Sequence, residues 1–174
     1  CDILELCPAQ CMIFNKDGAK IWKYWEIKAQ PYFKDRNYAI EKTRYLMCDA
    51  VRRQMVSDVP LCVLLSGGLD SSVVSSIGQE YCKENGAVLD TYSFEYEGNK
   101  DAFKNSLFQP EKDDDFALYV ADYLGTNHTV LTCPTDTLAN ELISATGYRD
   151  LPGQADIDSS LLYFCREIKK EQKF

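Results

Sequence analysis

The sequence predicts an α/β protein with a doubly wound parallel sheet, preceded by a short N-terminal β-hairpin. Three observations carry that expectation. Leu61-Cys62-Val63-Leu64-Leu65 is a short, wholly apolar run, of the kind buried on both faces of a parallel sheet. Such runs alternate with stretches of helical period, which is the spacing of βαβ units. A glycine-rich turn then joins the first apolar run directly to a helix, the place where open α/β sheets bind ligands.

The elements follow in order. Residues 1–30 read as β structure, with Asn15-Lys16-Asp17-Gly18 as a turn between Met12-Ile13-Phe14 and the aromatic run Ile21-Trp22-Lys23-Tyr24-Trp25. A lone hairpin is marginal in water, so these aromatics are expected to pack between domains. From Asp35 the period becomes helical: Ala39, Ile40, Thr43, Leu46, Met47, Ala50, Val51, Met55 and Val56 form an apolar stripe that ends near Ser57-Asp58-Val59-Pro60. After the 61–65 strand come a helix over 71–84, a strand over 89–96 and a long polar loop over 97–112. A helix over 113–124, a strand over 128–133 and a helix from Pro134 to about Thr146 complete the alternation. Asp158 is placed to cap a final helix that runs on without a closing strand, so the chain reads as truncated.

Apolar residues make up 45% and charged residues 26% of the 174, an ordinary balance for a globular chain. The formal charge of -8 argues against a nucleic-acid partner, because non-specific binding to phosphate backbones is mainly electrostatic. No run approaches the ~18 apolar residues of a membrane span, and no signal-peptide layout opens the chain, so no membrane partner and a cytoplasmic location are expected. The eight cysteines, at 1, 7, 11, 48, 62, 82, 133 and 165, show no metal-ligand spacing. They are expected to be reduced core residues. His128, the single histidine, reads as a polar residue at the edge of a strand.

The chemistry is concentrated in Ser66-Gly67-Gly68-Leu69-Asp70-Ser71-Ser72, between a strand and a helix N-terminus. Two glycines let the backbone turn tightly and approach a ligand. The first N–H groups of a helix have no internal partners and sit at the positive end of its dipole, so they cradle anions. Ser66, Ser71 and Ser72 bring hydroxyls. Asp70 beside phosphate would be repulsive unless a bound Mg²⁺ joined them, which makes Asp70 the expected metal residue. The plainer alternative is a turn followed by a capped helix, but two glycines, an aspartate and three serines in this slot favour ligand binding. No Walker A sequence occurs.

This loop is similar to the SGGxDS signature of the ATP pyrophosphatases, with their adenine nucleotide α-hydrolase-like fold. Residues 56–72, together with Thr91-Tyr92-Ser93-Phe94, Leu124-Gly125-Thr126-Asn127-His128 and Arg149-Asp150-Leu151-Pro152-Gly153, resemble glutamine-hydrolysing asparagine synthetases. The resemblance covers essentially the whole chain. It implies that residues 1–30 match the last hairpin and linker of a glutaminase domain, and 31–174 the first part of a synthetase domain. It implies ATP and Mg²⁺ as cofactors, with Leu64, Ser66, Gly67, Gly68, Leu69, Asp70, Ser71, Ser72 and Tyr96 as nucleotide-binding residues. Leu64 and Tyr96 would bracket the adenine through backbone contacts. The implied reaction is adenylation of the aspartate side chain with release of pyrophosphate, followed by displacement of AMP by ammonia from glutamine.

The family's SGEGxDE segment and a later basic residue for pyrophosphate do not occur and are expected beyond Phe174; the fragment alone is expected to be inactive. Cys1 precedes residues that match the end of the glutaminase domain, so it reads as a fragment end and not as the glutaminase nucleophile. Asp113-Asp114-Asp115 reads as helix-capping acid. Arg149, Asp150, Asp156 and Asp158 are expected toward the ligand side, either around the amino-acid substrate or as surface ion pairs, and the loop holding Phe103, Phe108 and Gln109-Pro110 reads as a lid or as a disordered segment. The loop motif does not separate aspartate from other carboxylates, such as those of β-lactam synthetase-like or lasso peptide cyclase-like ligases. Nor does it exclude a non-catalytic ATP-binding module. The residues leave a homodimer open.

Overall fold

A computed structural model of the chain describes residues 4–98, 113–150, 153 and 155–171. The chain divides into two compact units, Cys1–Glu41 and Lys42–Phe174. In the first, β1 (Gln10–Asn15) pairs antiparallel with β2 (Gly18–Lys23), Gln10 opposite Lys23 and Asn15 opposite Gly18. The Asp17 N–H donates to Asn15 Oδ1 at 2.9 Å, and Gly18 takes φ 114, a value that glycine adopts freely. All of β2 is exposed, so the hairpin builds no core of its own.

Helix α1 (Arg36–Gln54) opens on Asp35, whose carboxylate accepts the Tyr38 N–H at 2.8 Å. It ends three residues before Ser57. None of its residues is buried, so the apolar stripe read from the sequence stays largely uncovered: Ile40, Leu46 and Met47 are all exposed. What α1 does anchor lies at its C-terminal end. The Arg52 guanidinium forks onto Glu84 at 2.6 and 2.7 Å, which raises the arginine's pKa, and Glu80 lies 3.6 Å away.

The second unit is built on a parallel sheet of β3 (Cys62–Leu64), β4 (Asp90–Tyr96) and β5 (Asn127–Cys133), in that order. Leu64 lies abreast of Tyr92, and Tyr96 abreast of Cys133. Helices α2 (Leu69–Glu84) and α3 (Asp113–Leu124) make the two crossovers, and α4 (Thr135–Arg149) and α5 (Ala155–Glu171) follow β5. Tyr92, Leu131 and Cys133 face α5, where Phe164 and Ile168 close a core. Phe164 is 1% exposed, stacked on Phe94 with ring centroids 3.8 Å apart. A second core joins Leu65 to Ala117 and Ala121 of α3. Alternation along β4 turns Thr91 and Ser93 away from α5, and Thr91 Oγ1 meets Thr126 Oγ1, just past α3, at 2.8 Å. Helices thus pack on both faces, as the doubly wound expectation requires.

Some boundaries move, each for a physical reason. Helix α2 begins at Leu69, not Ser71, because Gly68 with φ -68 and ψ 164 already serves as its N-cap. Helix α4 continues through Gly147 to Arg149 and stops only where Asp150 turns left-handed at φ 59. Asp158 does not cap α5, which starts at Ala155; its carboxylate instead takes the Arg149 guanidinium at 2.5 Å. The described cysteines are free, as expected, but only Cys133 is buried, while Cys7 and Cys165 are exposed. Burial alone did not select their positions. No described helix is long and apolar enough to cross a membrane. The expected lid, with Phe103 and Phe108, lies outside the described residues.

Candidate functional site

Buried Leu65 donates its N–H to the Tyr92 carbonyl at 2.7 Å, so the strand hands over to the loop at a fixed point. The loop turns through Gly67 at φ 84, where a side chain would strain the backbone. At Gly68 no side chain caps α2. The Ser72 N–H and hydroxyl both donate to the Gly68 carbonyl, at 3.1 and 2.7 Å. Ser71 Oγ accepts the Ser66 N–H at 3.2 Å, contacts Ser66 Oγ at 3.0 Å and donates to the Gly68 carbonyl at 3.1 Å. Leu64, Ser66, Gly67, Gly68, Leu69, Asp70, Ser71 and Ser72 therefore lie along one turn at the strand end and helix start. Leu69 and Asp70 are exposed there.

Tyr96 lies elsewhere on the same end of the sheet. It is four residues beyond the register partner of Leu64, about 13 Å along the strand. Backbone parity is informative here. The Tyr92 carbonyl bonds Leu65 on the β3 side, whereas the Glu97 N–H bonds Cys133 on the β5 side. The main-chain groups of Phe94 and Tyr96 therefore point to the β3 side. The Tyr96 ring stands off the sheet face that α5 covers and meets Phe164 edge-on at 6.0 Å. There it lines a cavity of about 760 Å³ with Phe94, Leu142, Ile157, Ser160 and Phe164.

Among the described residues, no group of three or more His, Cys, Asp or Glu could hold a metal by itself. Asp70, exposed in the first turn of α2, offers a single carboxylate. That donor set fits Mg²⁺, which takes one or two carboxylates and draws its remaining oxygens from substrate phosphates and water. It does not suit an ion caged by protein ligands alone.

Sequence reasoning missed one polar cluster. His128 is no loose edge residue: Thr91 Oγ1 bonds its Nδ1 at 2.9 Å and Ser93 Oγ its Nε2 at 3.0 Å, and burial lowers its pKa. The signal was the alternation of Thr91 and Ser93, but their partner is set by the register Thr91 opposite His128. Of the acidic and basic residues around the α4–α5 turn, the structure joins Arg149 to Asp158. Gly153 packs so closely that a side chain there would collide with that carboxylate.

The asparagine synthase family matches residues 42–173. The glutamine-hydrolysing asparagine synthetase 3 of Bacillus subtilis (strain 168) is 44% identical over 170 residues, covering 97% of this chain and 28% of that protein. A putative glutamine-hydrolysing asparagine synthetase 2 of Methanocaldococcus jannaschii is 35% identical over 126 residues, covering 71% of this chain and 22% of its own length. The chain thus spans about a quarter of the length of these relatives. Among solved structures, the NAD+ synthetase of Burkholderia pseudomallei aligns with a TM-score of 0.37 at 19% identity, over 80% of this chain and 57% of that one. The glycine–serine turn at the head of α2 and the matched residues together place this chain in the asparagine synthase family.

Proposed function

We propose that the chain is the nucleotide-binding part of an ATP-dependent amide ligase that makes asparagine from aspartate. In this reading residues 1–30 belong to the end of a glutaminase domain and residues 31–174 to the synthetase domain. The observation that carries it is the 66–72 loop, seated between a buried strand and the N-terminus of α2 in a chain of this family. The N–H groups of Leu69, Asp70 and Ser71 precede the first intrahelical bond, from Ser72 to Gly68, and would receive an anion at the helix head. Leu64 and the β3-facing main chain of Tyr96 would receive the adenine. Asp70 would hold Mg²⁺, which would supply charge neutralisation at the phosphates.

In this reading the reaction has two steps. An oxygen of the aspartate side-chain carboxylate attacks the α-phosphorus of ATP, and the bond to the departing pyrophosphate breaks. Ammonia from glutamine then attacks the acyl carbon of β-aspartyl-AMP and expels AMP. The loop contributes positioning and stabilises charge on the leaving pyrophosphate.

The test is pyrophosphate release from Mg·ATP by the full-length protein, with and without aspartate, beside calorimetric titration of Mg·ATP. Release that requires aspartate is expected. Asp70→Ala should weaken Mg·ATP binding at least tenfold, and unchanged affinity would count against the loop. Release that ignores aspartate but follows another carboxylate would move the assignment to a different adenylating ligase. Binding without release would leave a nucleotide-binding module.

A further inference from the structure

The geometry points to Ser71 as a positioning residue that braces the 66–72 loop from within, leaving phosphate recognition to main-chain N–H groups. This deepens the nucleotide-binding reading above and rests on it. A hydroxyl has one proton and two acceptor lone pairs. Ser71 Oγ meets the Ser66 N–H at 3.2 Å, Ser66 Oγ at 3.0 Å and the Gly68 carbonyl at 3.1 Å. One assignment makes every contact a hydrogen bond: the Ser66 hydroxyl donates to Ser71, and Ser71 donates to Gly68. The hydrogen-bonding capacity of Ser71 is then filled.

Ser66 Oγ also accepts the Gly68 N–H, at 3.4 Å, so these contacts close a circuit that begins and ends on Gly68. The Ser72 proton is engaged too, on the Gly68 carbonyl at 2.7 Å. All three hydroxyl protons therefore point into the loop. Among the described residues, the donors of this loop that remain for an anion are the N–H groups of Gly67, Leu69, Asp70 and Ser71, the last three ahead of the first helical bond at Ser72. The serines hold the shape and the backbone holds the ligand. A loop that is ordered beforehand costs a ligand less to bind.

The experiment is amide hydrogen exchange at Ser66 in the full-length protein without nucleotide, followed by Mg·ATP titration, for wild type, Ser71→Ala and Ser71→Thr. Expected are a protected Ser66 N–H in the wild type, exchange at least tenfold faster in Ser71→Ala, a several-fold loss of Mg·ATP affinity, and recovery of both in Ser71→Thr. Unchanged Ser66 exchange in Ser71→Ala alongside weaker binding would make Ser71 a direct phosphate donor and overturn the proposal. An unprotected Ser66 N–H in the wild type overturns it without any variant. A wild-type protein that binds no nucleotide would sink the proposed function, while the exchange result would still decide whether Ser71 braces the loop.

Discussion

Ser75 lies one turn beyond Ser71 on α2, completely buried, and its hydroxyl meets no partner among the described residues. A buried hydroxyl without a partner is destabilising, and alanine is the better helix former. Ser75→Ala is therefore expected to raise stability by about 1 kcal/mol, read from urea unfolding. His128 makes a different prediction. Its folded pKa lies below the ordinary 6.5, so the unfolded chain takes up a proton first as the pH falls. The stability it contributes is complete above that ordinary value and is lost as pH drops through the folded one. His128→Gln should flatten this part of the acid limb, seen as a smaller difference between unfolding free energies at pH 7.5 and pH 5.5. Residues 66–72 were legible because glycine, serine and aspartate at that spacing follow directly on an apolar run. Ser75 and His128 were not, because only packing shows that one hydroxyl is orphaned and only register shows which side chains meet an imidazole.

The elements themselves were largely readable, since each long apolar run became a strand and each stretch of helical period a helix. Their ends moved where the backbone decided: at Gly68, which caps without a side chain, and at Asp150, which turns left-handed despite its Cβ. The apolar face of α1 shows the limit of periodicity, which reports that a face exists but not what covers it. Helix α2 carries the sharper constraint. A Cβ at Gly78 would stand 3.2 Å from Leu89 Cδ2 and 3.8 Å from Met55 Sδ, so this glycine lets α2 lie close to both. Gly78→Ala should be nearly neutral, because the gain in helix propensity offsets a slight shift of the leucine end. Gly78→Val should lower stability by about 2 kcal/mol in the same urea experiment, as an overpacked contact does.

For the whole molecule, the net charge of -8 sets how the protein meets other polyions. A gel shift with duplex DNA at physiological salt is expected to show no complex, because the field opposes the phosphate backbone. In the function proposed above, a polyanion such as ATP would be admitted where the fold concentrates donors, at the head of α2. The order of the sheet and its register were beyond sequence reasoning, and they determine the step by which β4 outruns β3. Along that step Phe94 and Tyr96 offer amide and carbonyl groups on the β3 side, whatever their side chains. A base read by such groups is recognised by a feature common to nearly every amino acid, so its binding leaves no fingerprint in the letters of the chain. Proline is the exception, since it alone removes the N–H that the strand presents.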